Sequence, residues 1–301
     1  MIDMFKVIIC EIYHKIIFLD FINERVMISM SIPPLDVAVE KACTKSKILK
    51  YHPLRFFTQA TLAGSYIGLA VIFSFTIGES FRLTESPATT LISGMAFSLA
   101  LVMIILGNAD LFTGNVMYLT MSTLSRKTTW KDLLSNWLAT YLGNLIGVLI
   151  ITVMIVLAEI FSHASLDHFL IATAVKKSSL PGIALFFRGI LCNWLICLAV
   201  WIPMYTKDYI AKMALIMFIV TAFFVSGYEH SIANMAIFAI SLTMDHPETL
   251  TLAASFRNIG IVTLGNIIGG GLFVGGAYYY ITQEIKQKTK IKITEKNQKA
   301  M

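Results

Sequence analysis

Long apolar runs separated by short polar stretches dominate this chain. Six such blocks follow one another: Phe56–Ile77, Thr89–Leu124, Leu133–Leu157, Ile183–Met204, Met213–Leu242 and Asn258–Ile281. A helix crosses the hydrocarbon core with about 20 residues, so the first, third, fourth and sixth blocks each predict one transmembrane helix. The second and fifth hold 36 and 30 residues. As continuous helices they would run to about 54 and about 45 Å, well beyond the core. Each carries a polar interruption, GNADLFTGN at Gly107–Asn115 and SGYEH at Ser226–His230, which predicts two broken helices. Ahead of the blocks, residues 35–55 read as an amphipathic helix whose basic face lies on the cytoplasmic surface or, alternatively, as a plain solvated helix. In residues 1–34 the apolar pattern is interrupted by Glu11, His14, Lys15 and Asp20. That segment neither spans a bilayer nor has the layout of a signal peptide, and reads either as an interfacial extension or as the product of an upstream start. A basic tail occupies residues 283–301.

With 56% hydrophobic and 14% charged residues, the chain falls among all-α polytopic membrane proteins. The net charge of +6 sits at the ends and in short loops rather than in stripes interleaved with aromatics, which excludes nucleic acid as a partner. Of 24 basic residues, 19 fall in the amino-terminal segment, the second and fourth connections and the tail. Both termini are therefore expected in the cytoplasm, which requires an even number of spans, and six satisfies this. Cys10, Cys43, Cys192 and Cys197 show no metal-type pairing. Neither a metal nor a cofactor is expected.

The blocks repeat. YLGNLIG at Tyr141–Gly147 returns as TLGNIIG at Thr263–Gly269, offset by 122 residues, and the pairs Asp110/Asn115 and Glu229/Asn234 are offset by 119. Residues 56–157 and 183–282 thus form two halves of three spans each. An odd number of spans per half makes the repeat inverted, and interrupted spans in matching positions point to the permeation site. The glycines of the third and sixth blocks read as close-packing faces.

Ionisable groups at membrane depth are functional candidates, which singles out Glu229 and His230. Glu229 and its counterpart Asp110 read as loop supports bonding backbone amides rather than as proton relays, with Asn234 beside them. His163, His168 and Asp167 form a weak metal-like grouping that reads as solvated surface, and Arg188 reads as reaching a helix end or a pore mouth, with a role in anion attraction as the alternative. Nothing supplies an activated nucleophile, so an enzyme is the weakest reading and no catalytic residue is assigned.

Four stretches, FSLALVMIILGNADLFTGN, KKSSLPGIALFFRGILCNWLICLAVW, FFVSGYEHSIANM and TLGNIIGGGLFVG, together resemble the formate/nitrite transporter family over residues 35–280, and within it the nitrite branch, NirC. The resemblance implies a homopentamer of aquaporin-like protomers in the bacterial cytoplasmic membrane, each with its own pore for a small monovalent anion. It carries the pore onto Phe97, Leu101, Leu111, Phe112, Thr113, Asn193, Ile196, Phe223 and His230, with Lys177 attracting anions at a vestibule. The aromatic and aliphatic members would exclude hydrated ions, Thr113, Asn193 and His230 would supply hydrogen bonds, and His230 would assist protonation of the permeant. Nitrite is the expected substrate, with formate, hydrosulfide or lactate as alternatives. A neutral-solute facilitator is a further reading, against which stand the missing NPA motifs and the presence of His230 and Lys177.

Overall fold

The structure, a computed structural model, describes residues 34–285. The expected extension and tail lie, apart from their inner ends, outside these residues. Helix α1, Pro34–Tyr51, buries Leu35, Ala38 and Ala42 on one stripe and turns Lys47 and Lys50 outward, the pattern of a helix with one apolar face. It ends because His52 precedes Pro53, a position from which the helical region is disfavoured. Pro53 then opens α2, Pro53–Arg82, so this helix begins before the expected Phe56 and extends past Ile77.

The second block is divided. Helices α3, Thr89–Phe97, and α4, Leu99–Leu106, meet at Ser98, whose hydroxyl donates to the Met95 carbonyl at 2.6 Å and interrupts the ladder there. The chain then leaves the helix at Gly107 and resumes as α5, Phe112–Leu124. The fifth block is divided likewise into α9, Tyr209–Val225, and α10, Ser231–Ser241. Nearly every residue of α5 and α10 is buried, on all faces, which is how helices at the centre of a bundle look.

Around them stand α6, Trp130–Leu157, α8, Gly182–Trp201, and α11, Leu252–Ile268. Thr129 caps α6 by accepting from the Asp132 amide, and Thr251, 122 residues on, caps α11 by accepting from the Ala254 amide. Each cap satisfies an amide the helix itself leaves free. Packing is equally matched. A Cβ on Gly147 would collide with the Thr61 carbonyl of α2, and one on its counterpart Gly269 with the Ile190 carbonyl of α8. Both glycines exist to let backbones touch. After α11 the helix widens into a π-helical stretch over Gly269–Gly276, a bulge the sequence pattern did not signal.

Among the described residues, five helices are long and apolar enough to cross a membrane: Pro53–Arg82, Thr89–Leu106, Trp130–Leu157, Gly182–Tyr205 and Leu252–Ile285. Between α6 and α8 lies a helix outside the six expected blocks, α7, Phe169–Ser178. Its cap is His168, which is buried and accepts the Leu170 amide at Nδ1, so this histidine is not the solvated surface residue expected. Burial pushes its imidazole below the ordinary value, with Glu79 and Asp167 acting against the shift and Arg82 with it.

Candidate functional site

The site is built by two asparagines. In the first interruption Asn144 of α6 donates to the carbonyls of Ala60 and Asp110, both at 2.8 Å, and accepts the Phe112 amide at 2.9 Å. In the second, Asn266 of α11 donates to the carbonyls of Gly189 at 2.7 Å and Glu229 at 3.0 Å, and accepts the Ser231 amide at 2.9 Å. These are the asparagines of the repeated LGN motif. Each satisfies two backbone groups that the broken helix would otherwise leave unpaired in an apolar interior and ties them to a carbonyl of a neighbouring helix, Ala60 of α2 or Gly189 of α8.

Each interruption also holds a carboxylate against a lysine. Lys177 of α7 donates to Glu229 Oε1 at 2.9 Å, and Asn234 donates to Oε2 at 2.6 Å. Lys45 of α1 forms an ion pair with Asp110. The carboxylates therefore engage side chains rather than the backbone amides expected for them. Lys45 itself was missed, because it lies on an element whose basic face read as membrane surface. Burial, helped by Lys41, pushes the Lys45 ammonium down to about 7, and the adjacent Asp110 carboxylate acts against that shift. Asn115 and Asn234 are also matched. The first donates to Asn136 Oδ1 at 3.0 Å and the second to Asn258 Oδ1 at 2.8 Å, and these acceptors are again 122 residues apart.

Two cavities adjoin these pairs. One, of about 170 Å³, is lined by Phe97, Phe223, Lys177, Glu229, Asn234 and His230 among others. The other, of about 400 Å³, is lined by Leu101, Asp110, Leu111 and Gly114 with Lys41, Lys45 and Arg55. Thr113, next to Gly114, bonds His230 Nε2 through Oγ1 at 3.0 Å, so this contact bridges the partition between the two linings. His230 caps α10 by accepting the Ala233 amide at Nδ1, 3.1 Å. A neutral ring with Nδ1 accepting carries its proton on Nε2, and Nε2–H therefore donates to Thr113. Phe97 and Phe223 pack edge to face at 5.9 Å on the Lys177 side.

The remaining expected residues are buried but line neither cavity. Asn193 donates to the carbonyls of Thr113 at 3.2 Å and Asn266 at 2.7 Å, which uses both amide protons. It holds the partition in place and has no donor left for a permeant. The Phe112 ring turns to Tyr141, 5.1 Å between centroids, and Ile196 is packed in the core.

The family model described as Formate/nitrite transporter matches residues 35–280. The chain belongs to the formate/nitrite transporter family. Among curated relatives of this transporter, the uncharacterized transporter YwcJ of Bacillus subtilis is 40% identical over 255 residues, 85% of this chain and 100% of that one. The nitrite transporter NirC of Salmonella typhimurium is 37% identical over 252 residues, 81% of this chain and 89% of that one. Of solved structures, an FNT family ion channel superposes with a TM-score of 0.76 at 33% identity, covering 82% of this chain and 98% of that one. A pentameric formate channel with formate bound gives a TM-score of 0.65 at 30% identity, covering 80% and 98%. The protein is thus an integral membrane channel of this family, and its relatives are transporters and channels rather than enzymes.

Proposed function

We propose that the chain conducts a small monovalent weak-acid anion, nitrite in the first place, across the bacterial cytoplasmic membrane as a homopentamer with one pore per protomer. The observation that carries this reading is the Thr113–His230 contact between two cavities, each flanked by a lysine–carboxylate pair. The matched hydrogen bonds of Asn144 and Asn266 support six crossings in two inverted halves, with α1 and both termini in the cytoplasm. On that orientation the Lys177 cavity faces outward and the Lys45 cavity inward, and the channel body is residues 56–282.

A bare anion entering a low-dielectric partition pays several kcal/mol even after relaxation. Protonating an acid of pKa near 4 at pH 7 costs about 3 units, or about 4 kcal/mol, so crossing as the neutral acid competes. His230 can donate its Nε2 proton without becoming an imidazolate only if Nδ1 takes one up. Nδ1 must then release the Ala233 amide, so proton delivery is coupled to opening of the α10 cap. The anion passes Lys177, gains the proton at His230, crosses between Phe97, Phe223, Leu101 and Leu111, and loses it in the Lys45 cavity.

The test is nitrite and formate uptake into proteoliposomes under a pH gradient, with wild type and His230→Asn. Asparagine keeps a cap acceptor but cannot shuttle a proton. Flux of nitrite above formate, with its pH dependence lost in the variant, is the expected result. An unchanged pH response in H230N defeats the proton role. Formate flux exceeding nitrite establishes the second reading, which the formate-bound structural relative favours.

A further inference from the structure

The two interruptions are latched in the same way to the first long helix of their own half, α2 and α8. In the first, the Asp110 amide donates to the Gln59 carbonyl at 3.0 Å, and the Gln59 side chain donates to the Asn108 carbonyl at 3.0 Å. In the second, the Glu229 amide donates to the Arg188 carbonyl at 3.3 Å, and Arg188 Nη1 donates to the Gly227 carbonyl at 3.3 Å. Asn108 and Gly227 are 119 residues apart, the offset of the carboxylates. Gln59 and Arg188 therefore hold one position in the two halves. The latch needs one neutral N–H donor, which glutamine supplies, so the charge and the remaining N–H groups of Arg188 are surplus to it.

That surplus faces the cavity of about 170 Å³. Its lining holds Lys176, Lys177 and Arg188 against a single carboxylate, Glu229. Both Glu229 oxygens are occupied, by Lys177 and Asn234, so the Lys177 charge is cancelled locally and its ammonium is held away from an arriving ion. A guanidinium presents parallel N–H groups that match two oxygens on one atom, which an ammonium does not.

We propose that Arg188 is a specificity-determining residue of this channel: it docks anions bearing two oxygens on one central atom, the nitrite and carboxylate geometry, at the Lys177-side cavity ahead of the partition. The assignment rests on the anion-channel reading above. Single-centre anions such as hydrosulfide gain charge attraction there but no paired hydrogen bonds.

The experiment compares wild type, Arg188→Gln and Arg188→Lys in proteoliposomes, measuring initial rates for nitrite, formate and hydrosulfide at low and high salt, with calorimetric nitrite binding to the purified proteins in parallel. R188Q installs the latch residue of the other half and is expected to assemble as wild type. Its half-saturating nitrite and formate concentrations should rise about tenfold, the effect of losing one charged hydrogen-bonded contact, with the maximal rate kept and the salt dependence weakened. R188K should regain the salt dependence but not the preference for nitrite and formate over hydrosulfide. Wild-type half-saturation and nitrite affinity in R188Q overturn the proposal, and full wild-type preference in R188K overturns its two-oxygen part. Wild-type vesicles that carry no anion defeat the channel reading itself, whereas anion flux with an unaltered R188Q defeats this inference alone.

Discussion

The Tyr141 hydroxyl lies 3.2 Å from the Thr263 hydroxyl, and both residues stand immediately before the repeated Leu-Gly-Asn, 122 residues apart. Counterpart residues touch each other where an axis relating the two halves passes between them. Thr263 spends its one proton on the Ile259 carbonyl at 2.7 Å, so Tyr141 is the donor. Tyr141 also packs on Phe112 at the start of α5, which ties a first-half helix start to a second-half helix.

The bond's worth follows from which partner is removed. Tyr141→Phe deletes a donor and should cost about 1 kcal/mol, whereas Thr263→Val leaves the phenol hydroxyl without an acceptor and should cost about 2 kcal/mol. Thermal unfolding of the purified proteins reads both. The double variant should be less destabilised than the sum, and additive losses would mean that the two hydroxyls do not interact.

The Lys177–Glu229 pair is nearly buried, with side chains 15% and 2% exposed. Removing one partner strands a charge and costs about 3 to 5 kcal/mol, while replacing both by neutral groups of similar shape is often tolerated. Lys177→Met is therefore expected to unfold at markedly lower temperature, and Lys177→Met with Glu229→Gln to recover most of the loss. A double variant as unstable as the single one would show that Lys177 acts through packing of α7 and not through its charge.

Asn266 cannot be exchanged for a near-isostere. Asn266→Asp keeps the acceptor for the Ser231 amide but loses both donors, to the Gly189 and Glu229 carbonyls, and sets a second carboxylate near Glu229. The Glu229 carbonyl, which lies in the interruption, is then orphaned at a cost of about 1 to 3 kcal/mol. The variant should lose its single oligomeric species in size-exclusion chromatography, and Asn144→Asp should do the same. A monodisperse N266D would mean that the interruption is held by other contacts.

These residues also mark what the sequence could reveal. The LGN repeat and the paired carboxylates were visible because they recur at fixed offsets inside apolar runs, where any polar group stands out. Lys45 was not, because a lysine on an amphipathic helix looks the same whether it faces water or a carboxylate 65 residues away. Asn193 was assigned a role toward the permeant because residue type alone cannot tell that both of its amide protons are consumed by the carbonyls of Thr113 and Asn266. Helix α7 was hidden by its length of 10 residues, too short for a span, and its existence depends on a cap, His168, that read as a loop histidine. The equivalence of Gln59 and Arg188 cannot be read by aligning residue types, since it lies in the bonds they make and not in their chemistry.

The same histidine makes α7 sensitive to pH. His168 caps the helix through an unprotonated Nδ1, and burial depresses its imidazole below the ordinary value of about 6.5. With the folded value lowered, the uncapped state binds more protons below pH 6.5. The cap's contribution is thus complete above that pH and declines as pH falls from 6.5 toward the depressed value. Hydrogen exchange at Leu170–Ala172, corrected for intrinsic rates, should speed up on going from pH 7 to pH 5. His168→Asn retains a side-chain acceptor suited to an N-cap and should abolish that difference. Because α7 carries Lys177, the wild-type pairing with Glu229 should loosen over the same pH range. Equal pH responses in the variant and the wild type would assign the effect instead to Asp167 or Glu79, the carboxylates that flank Arg82 at this end of α2.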